Sequence, residues 1–186
     1  MWGLARHVCC QSSNQIIAMK IKEQLVSENT KAYFNRIAGD WSSHYSEAGL
    51  MRGRIQRFVG ALEEFANPHA NILDFGCGSG ELTLAISKKG WHVKGCDISE
   101  EMLRRAEDVA GENCIDWYLL REQNDLKLPF HDATFDVIVA SSVFEYLSKP
   151  EVYLREFHRI LSKNGRILVS VPDLRHPLQA AEEARR

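Results

Sequence analysis

Between Ile72 and Asp97 the chain carries two acids and three glycines at spacings that could hold a ligand. In Ile72-Leu73-Asp74-Phe75-Gly76-Cys77-Gly78-Ser79-Gly80, an apolar run delivers Asp74 to the end of a strand. Gly76, Gly78 and Gly80 then let the backbone turn tightly against a ligand, where a Cβ would collide. Asp97 closes the next apolar run, one helix and one strand beyond Gly80. An acid at that place accepts both hydroxyls of a ribose, so the combination asks for an adenosine-containing ligand at the carboxyl edge of a parallel sheet. Singly, the glycines read better as a tight strand-to-helix connection and Asp97 as a surface loop acid. Their order, after a strand, before a helix and with the acid at the next strand end, favours the ligand. A dinucleotide is the first rival, but its fingerprint is GxGxxG, and Glu81 stands where the third glycine would fall.

The elements around this segment alternate. "NILDF" is a short apolar run, "ELTLAISKKG" has helical rhythm, "WHVKGCD" is strand-like, and Ser99 opens a helix with Glu100, Glu101 and Met102 behind it. Strands follow at Ile115 to Leu120 and at "FDVIVA" from Phe135 to Ala140. A helix over Val152 to Leu161 begins after Pro150, a residue suited to a first helical turn. Asn164-Gly165 then predicts a turn into the last strand, "RILVSVP". Strands alternating with helices predict an α/β fold with a mostly parallel sheet covered on both faces. Upstream, the apolar positions of Ile21 to Ile37 predict a helix broken near Ser27 to Thr30 and ended by Gly39-Asp40. A second helix is expected from about Met51 to Phe65, stopped by Asn67-Pro68.

Size and composition limit what surrounds the site. At 186 residues the chain suits one domain. Residues 1–18 read as an extension, 19–67 as an N-terminal helical cap and 68–173 as the core. Apolar residues at 45% and charged residues at 26% are globular values, so a packed core is expected rather than disorder. A formal charge of -2 gives no electrostatic reason to expect nucleic acid as a partner. Cys9, Cys10, Cys77, Cys96 and Cys114 have no CxxC spacing, which suggests neither a zinc site nor a disulfide framework, and the reducing cytoplasm is the expected setting. No apolar run approaches the length of a membrane span, and no signal-peptide block opens the chain.

In three segments in register the sequence resembles the class I S-adenosylmethionine-dependent methyltransferases. These are "ILDFGCGSGELTLAISKKGWHVKGCDISEEMLRRAE", "LPFHDATFDVIVASSVFEYL" and "LREFHRILSKNGRILVSVPD". The likeness covers residues 31 to about 173 and is to the broad subgroup acting on small molecules, quinone-biosynthesis enzymes included. It implies a Rossmann-like fold, S-adenosyl-L-methionine as cofactor and methyl transfer to a small-molecule acceptor at an O, N or C centre. It places Asp74, Gly76 and Gly78 at the methionyl end, with Cys77 and Gly80 in the same cofactor-binding turn, Asp97 on the ribose, and Ile98 and Met102 beside the adenine. The adenine amino group falls to the position of Asn124, where relatives usually have an acid, with Asp125 beside it and Leu126 next in the cofactor-binding stretch. Ser141 and Ser142 form the floor near the methionine part. Relatives also add two antiparallel strands after the last strand here, and this sequence ends too soon for them. A missing edge would favour pairing with another chain, as in a homodimer.

Methyl transfer is an in-line displacement on a cationic sulfonium, so alignment and exclusion of water matter most and a base is optional. Candidates for that base are Tyr33, His44, Glu145 and Tyr146. Many relatives have Glu-His where this chain has Glu145-Tyr146, which removes a histidine base at that point. His44 and Tyr45 read first as a wet loop, and Tyr33 and Phe34 as either a core stripe or a lid. Cys77 lacks an evident His partner, and a small residue simply fits its place. His131 and His158 read as a loop and a helix-surface residue, and no metal site is expected. The alternative to an enzyme is a domain that binds S-adenosylmethionine without turnover or only with a partner; a nicotinamide-dependent reductase is disfavoured by the glycine spacing.

Overall fold

The computed structural model describes residues 30–41, 52–121 and 127–171. The elements are α1 (Thr30–Trp41), α2 (Arg52–Phe65), β1 (Asn71–Phe75), α3 (Glu81–Ser87), β2 (His92–Asp97), α4 (Glu100–Ala110), β3 (Asp116–Leu119), β4 (Phe135–Ser141), a 3-10 turn (Phe144–Tyr146), α5 (Pro150–Ile160) and β5 (Leu161–Ser170). Among the described residues the strands form one five-stranded sheet in the order β3-β2-β1-β4-β5. Every pairing is parallel. β1 therefore has β2 on one side and β4 on the other, and the chain reverses its direction of travel across the sheet at that point.

The sheet is buried on both faces because its central strands are apolar at successive positions. Ile72, Leu73, Ile138, Val139 and Ala140 are all fully buried. Alternation sorts them. Ile72, Val93, Val137 and Val139 pack with Phe58, Val59 and Leu62 of α2 and with Leu82 and Ile86 of α3. Leu73, Phe75, Ile138 and Ala140 pack on the opposite face with Phe157 and Ile160 of α5. Each such side chain contributes about 1.5–3 kcal/mol by leaving water, so both faces are needed to hold the strand ends in register. Ser99 caps α4 by accepting from the Met102 N–H at 3.1 Å, and Pro150 occupies the first turn of α5, as their types predict.

Two local expectations are corrected. Gly39-Asp40 does not end the first helix, which continues to Trp41. Ala38 is buried there and the Trp41 ring packs edge-on to Phe34, contacts that offset the weak helix propensity of glycine. The Asn164-Gly165 turn falls inside β5 rather than before it. Phe135 pairs with Leu161 and Val137 with Arg166, so the extra residues are absorbed as a bulge. The break expected near Ser27 and the segments 1–18 and 19–29 lie outside the described residues.

Candidate functional site

The glycine turn follows β1 at the carboxyl edge of the sheet, where the strand order reverses and open α/β sheets bind their ligands. The N–H groups of Gly76 and Cys77 both donate to the Cys96 carbonyl, at 2.8 and 3.0 Å, which folds the turn back over the end of β2. Gly76 has φ +70, and a Cβ there would lie 2.4 Å from Cγ2 of Val143. Gly80 has φ +83, and its Cβ would lie 2.8 Å from Cβ of Ala106 and 2.9 Å from Cη2 of Trp117. Both positions need a residue without a side chain, on backbone grounds and on space.

The two acids meet at this turn. Oδ2 of Asp97 accepts from the Gly78 N–H at 2.9 Å, and Oδ1 accepts from the Ser99 N–H at 2.9 Å. Oδ2 of Asp74 accepts from the Thr83 hydroxyl at 2.6 Å. Asp74 is 1% exposed and Asp97 8%. Burial pushes the Asp74 carboxyl up to about 7, with the charge of Asp97 adding to the rise and the Thr83 hydrogen bond opposing it. Burial also raises Asp97, against the backbone donors of Ser99, Gly78 and Ile98. Among the described residues no Lys or Arg forms an ion pair with either acid. Burial opposes the ionised form of both acids, and a cationic ligand beside them would favour it.

Cys77 is buried in the same turn. Burial and the neighbouring Asp97 and Asp74 push its thiol well above the ordinary value, which removes it as a thiolate nucleophile. Ile98 is half-buried and Met102 fully buried at the start of α4. Ser141 ends β4 opposite Ser170, and the Ser142 N–H donates to the Ser170 carbonyl at 3.3 Å and hydroxyl at 3.1 Å. Glu145 and Tyr146 sit in the 3-10 turn that follows β4. His44, Tyr45, Asn124, Asp125 and Leu126 lie outside the described residues.

An aromatic wall stands beside the turn. The Phe34 ring meets Tyr146 edge-on at 5.1 Å, Tyr33 at 5.2 Å and Trp41 at 5.9 Å. Nε1 of Trp41 lies 3.6 Å from the point a Cβ on Gly78 would occupy. α1 is pinned there by the Ser99 hydroxyl, which donates to Oδ1 of Asn35 at 2.6 Å. The ring contacts join α1 to the 3-10 turn that follows β4. Thr83, Asn35, Trp41 and Val143 were not singled out from the sequence. Thr83 did carry a signal, being a poor helix former in the middle of the apolar run of α3.

A family model described as a methyltransferase domain matches residues 73–169, which is 97 of the 186 residues. The demethylmenaquinone methyltransferase of Porphyromonas gingivalis is 30% identical over 77% of this chain and 60% of its own length. The malonyl-[acyl-carrier protein] O-methyltransferase of Erwinia billingiae is 32% identical over 80% of this chain and 56% of its own. The chain thus spans about three fifths of the length of these curated relatives. A solved SAM-dependent methyltransferase from Methanosarcina mazei superposes with a TM-score of 0.54 at 25% identity, covering 67% of this chain and 64% of that one. The turn between β1 and α3, the acid ending β2 and the match running through to β5 agree, and the chain belongs to the methyltransferase-domain family of class I, whose cofactor is S-adenosylmethionine.

Proposed function

We propose that this domain holds S-adenosylmethionine at the glycine turn and transfers its methyl group to a small-molecule acceptor at an O, N or C centre. The observation that carries the reading is the hydrogen bond from Gly78 to Asp97, which brings the ribose acid and the turn to one place beside buried Asp74. A cationic cofactor fits two buried acids that have no ion-pair partner among the described residues, at a turn whose glycines let the backbone pack closely against Val143, Ala106 and Trp117. When bound, the cofactor supplies a methyl group on a positive sulfonium. The chain's residues do the rest: Asp97 receives the ribose hydroxyls, Asp74 faces the methionyl end, and Ile98 and Met102 flank the adenine. Asn124 or the adjacent Asp125 serves the adenine amino group, Leu126 belongs to the same cofactor-binding stretch, and Ser141 serves the floor.

The wall of Phe34, Trp41 and Tyr146 excludes water and offers ring faces to the acceptor, which supports an apolar, ring-bearing acceptor such as the quinone named for the Porphyromonas gingivalis relative. Tyr146, Glu145 and His44 are the side chains proposed to take a proton if the acceptor carries one. Homodimerisation and a cytoplasmic setting belong to the same proposal. Ile167 and Val169, exposed on the edge strand β5, support the first, and free thiols at Cys77, Cys96 and Cys114 support the second. No helix among the described residues is long and apolar enough to cross a membrane. The formal charge of -2 supports an acceptor other than nucleic acid.

Calorimetric titration with S-adenosylhomocysteine and with NAD tests the ligand class, and a labelled-methyl assay over quinone, phenol, amine and acyl-carrier acceptors tests turnover. Binding of the nucleoside with transfer to one acceptor class supports the proposal. Binding of NAD instead overturns it, and binding with no transfer to any acceptor leaves a cofactor-binding module.

A further inference from the structure

Asp74 has an unusual position for a carboxylate. It sits on the central strand, 1% exposed, with Val139 of β4 beside it and Gly95 of β2 on the other side. Among the described residues, the titratable group that acts on it is Asp97 from β2, and Asp74 in turn raises the buried thiols of Cys96 on β2 and Cys77 in the glycine turn. These carry negative charge or none, so nothing ionic favours its charged form. The single group that does is the Thr83 hydroxyl of α3, which donates to Oδ2 at 2.6 Å. Thr83 is itself fully buried. A helical threonine ordinarily returns its hydroxyl to a carbonyl one turn earlier; this one is spent across the helix-to-strand interface instead. The Thr83 bond falls on Oδ2 and not on Oδ1.

We propose that Thr83 is a positioning residue for the cofactor: its hydroxyl holds Oδ2 of Asp74 so that the second oxygen is kept, ionised, for the positive methionyl end. The inference rests on the assignment of Asp74 to that end of the cofactor. It makes cofactor binding depend on proton occupancy. In the free protein Asp74 is protonated below about pH 7, and a neutral carboxyl attracts an ammonium or sulfonium poorly. Removing the Thr83 hydroxyl withdraws the one stabiliser of the charge and moves the dependence to higher pH.

The experiment measures S-adenosylhomocysteine binding by calorimetry from pH 5.5 to 9 for the wild type, Thr83→Val, Thr83→Ser and Asp74→Asn, with thermal melts of each. Wild-type binding should tighten as pH rises through neutrality. Thr83→Val, which is nearly isosteric, should bind about tenfold more weakly at neutral pH with its midpoint displaced upward. Thr83→Ser should restore both, and Asp74→Asn should bind weakly with a reduced pH dependence, Asp97 remaining as a buried acid at the site. Thr83→Val binding like the wild type at every pH, while Asp74→Asn is impaired, overturns the positioning role and leaves the Asp74 assignment standing. Asp74→Asn binding like the wild type overturns that assignment and the inference with it. If Thr83→Val does not fold, the wild-type profile decides, and binding that is flat from pH 6 to 8 overturns the proposal.

Discussion

Asp97 and Gly78, 19 positions apart in sequence, share a hydrogen bond of 2.9 Å from the glycine N–H to the acid's Oδ2. The acid that ends β2 is thereby tied to the turn that ends β1, and it keeps that orientation through a second bond from the Ser99 N–H. Removal of the carboxylate takes away both the ribose acceptor and the brace on the turn. Asp97→Ala should weaken S-adenosylhomocysteine binding by about a hundredfold or more, read by calorimetry. Binding within about threefold of the wild type would show that the ribose lies elsewhere.

Gly76 tests the turn itself. An alanine there would adopt φ +70 and place its Cβ 2.4 Å from Val143. Gly76→Ala should lower stability by about 2–4 kcal/mol in urea unfolding, from backbone strain together with overpacking. Val143→Ala in the same chain should recover the steric part and leave the backbone part. A double variant no more stable than the single one would place the cost entirely in the backbone.

Buried Asp74 should make the free protein less stable as pH rises. Its folded-state value near 7 lies above the ordinary value of 3.8, so the folded form holds a proton that the unfolded chain has released between those limits. The stability associated with that proton is fully present below about pH 4 and is lost as pH rises through about 7, a change of up to about 4 kcal/mol. Asp97, also raised by burial, acts in the same direction. Asp74→Asn should flatten the pH dependence of the urea midpoint and be more stable than the wild type at pH 8, at the expense of cofactor binding. A difference between wild type and Asp74→Asn that does not change from pH 4 to 8 would contradict this sign.

Phe34 joins α1 to the 3-10 turn through Tyr146. Edge-on aromatic pairs contribute about 0.5–1.5 kcal/mol each beyond burial, and Phe34 makes three of them. Phe34→Ala should therefore raise amide exchange in α1 by about tenfold or more, with β1 and β4 protection unchanged. Equal acceleration in α1 and the central strands would mean that α1 belongs to the cooperative core.

Local spacing determined much of this protein. The alternation of apolar strands and amphipathic helices predicts the parallel sheet, and Ser99 and Pro150 mark helix starts, because caps and first turns are decided by residues within one turn of each other. The glycine turn and Asp97 were legible for the same reason: each closes a recognisable strand. Tertiary structure alone decided what these residues meet. The sequence separation of 9 between Asp74 and Thr83, or of 64 between Asn35 and Ser99, has no local signature. Such bonds exist only because the sheet brings β1, β2, α3 and α1 to one edge. The extension of α1 through Gly39 and the bulge at Asn164-Gly165 follow the same logic, since long-range packing and strand register outweigh the fraction of a kcal/mol to about 1 kcal/mol carried by local propensity.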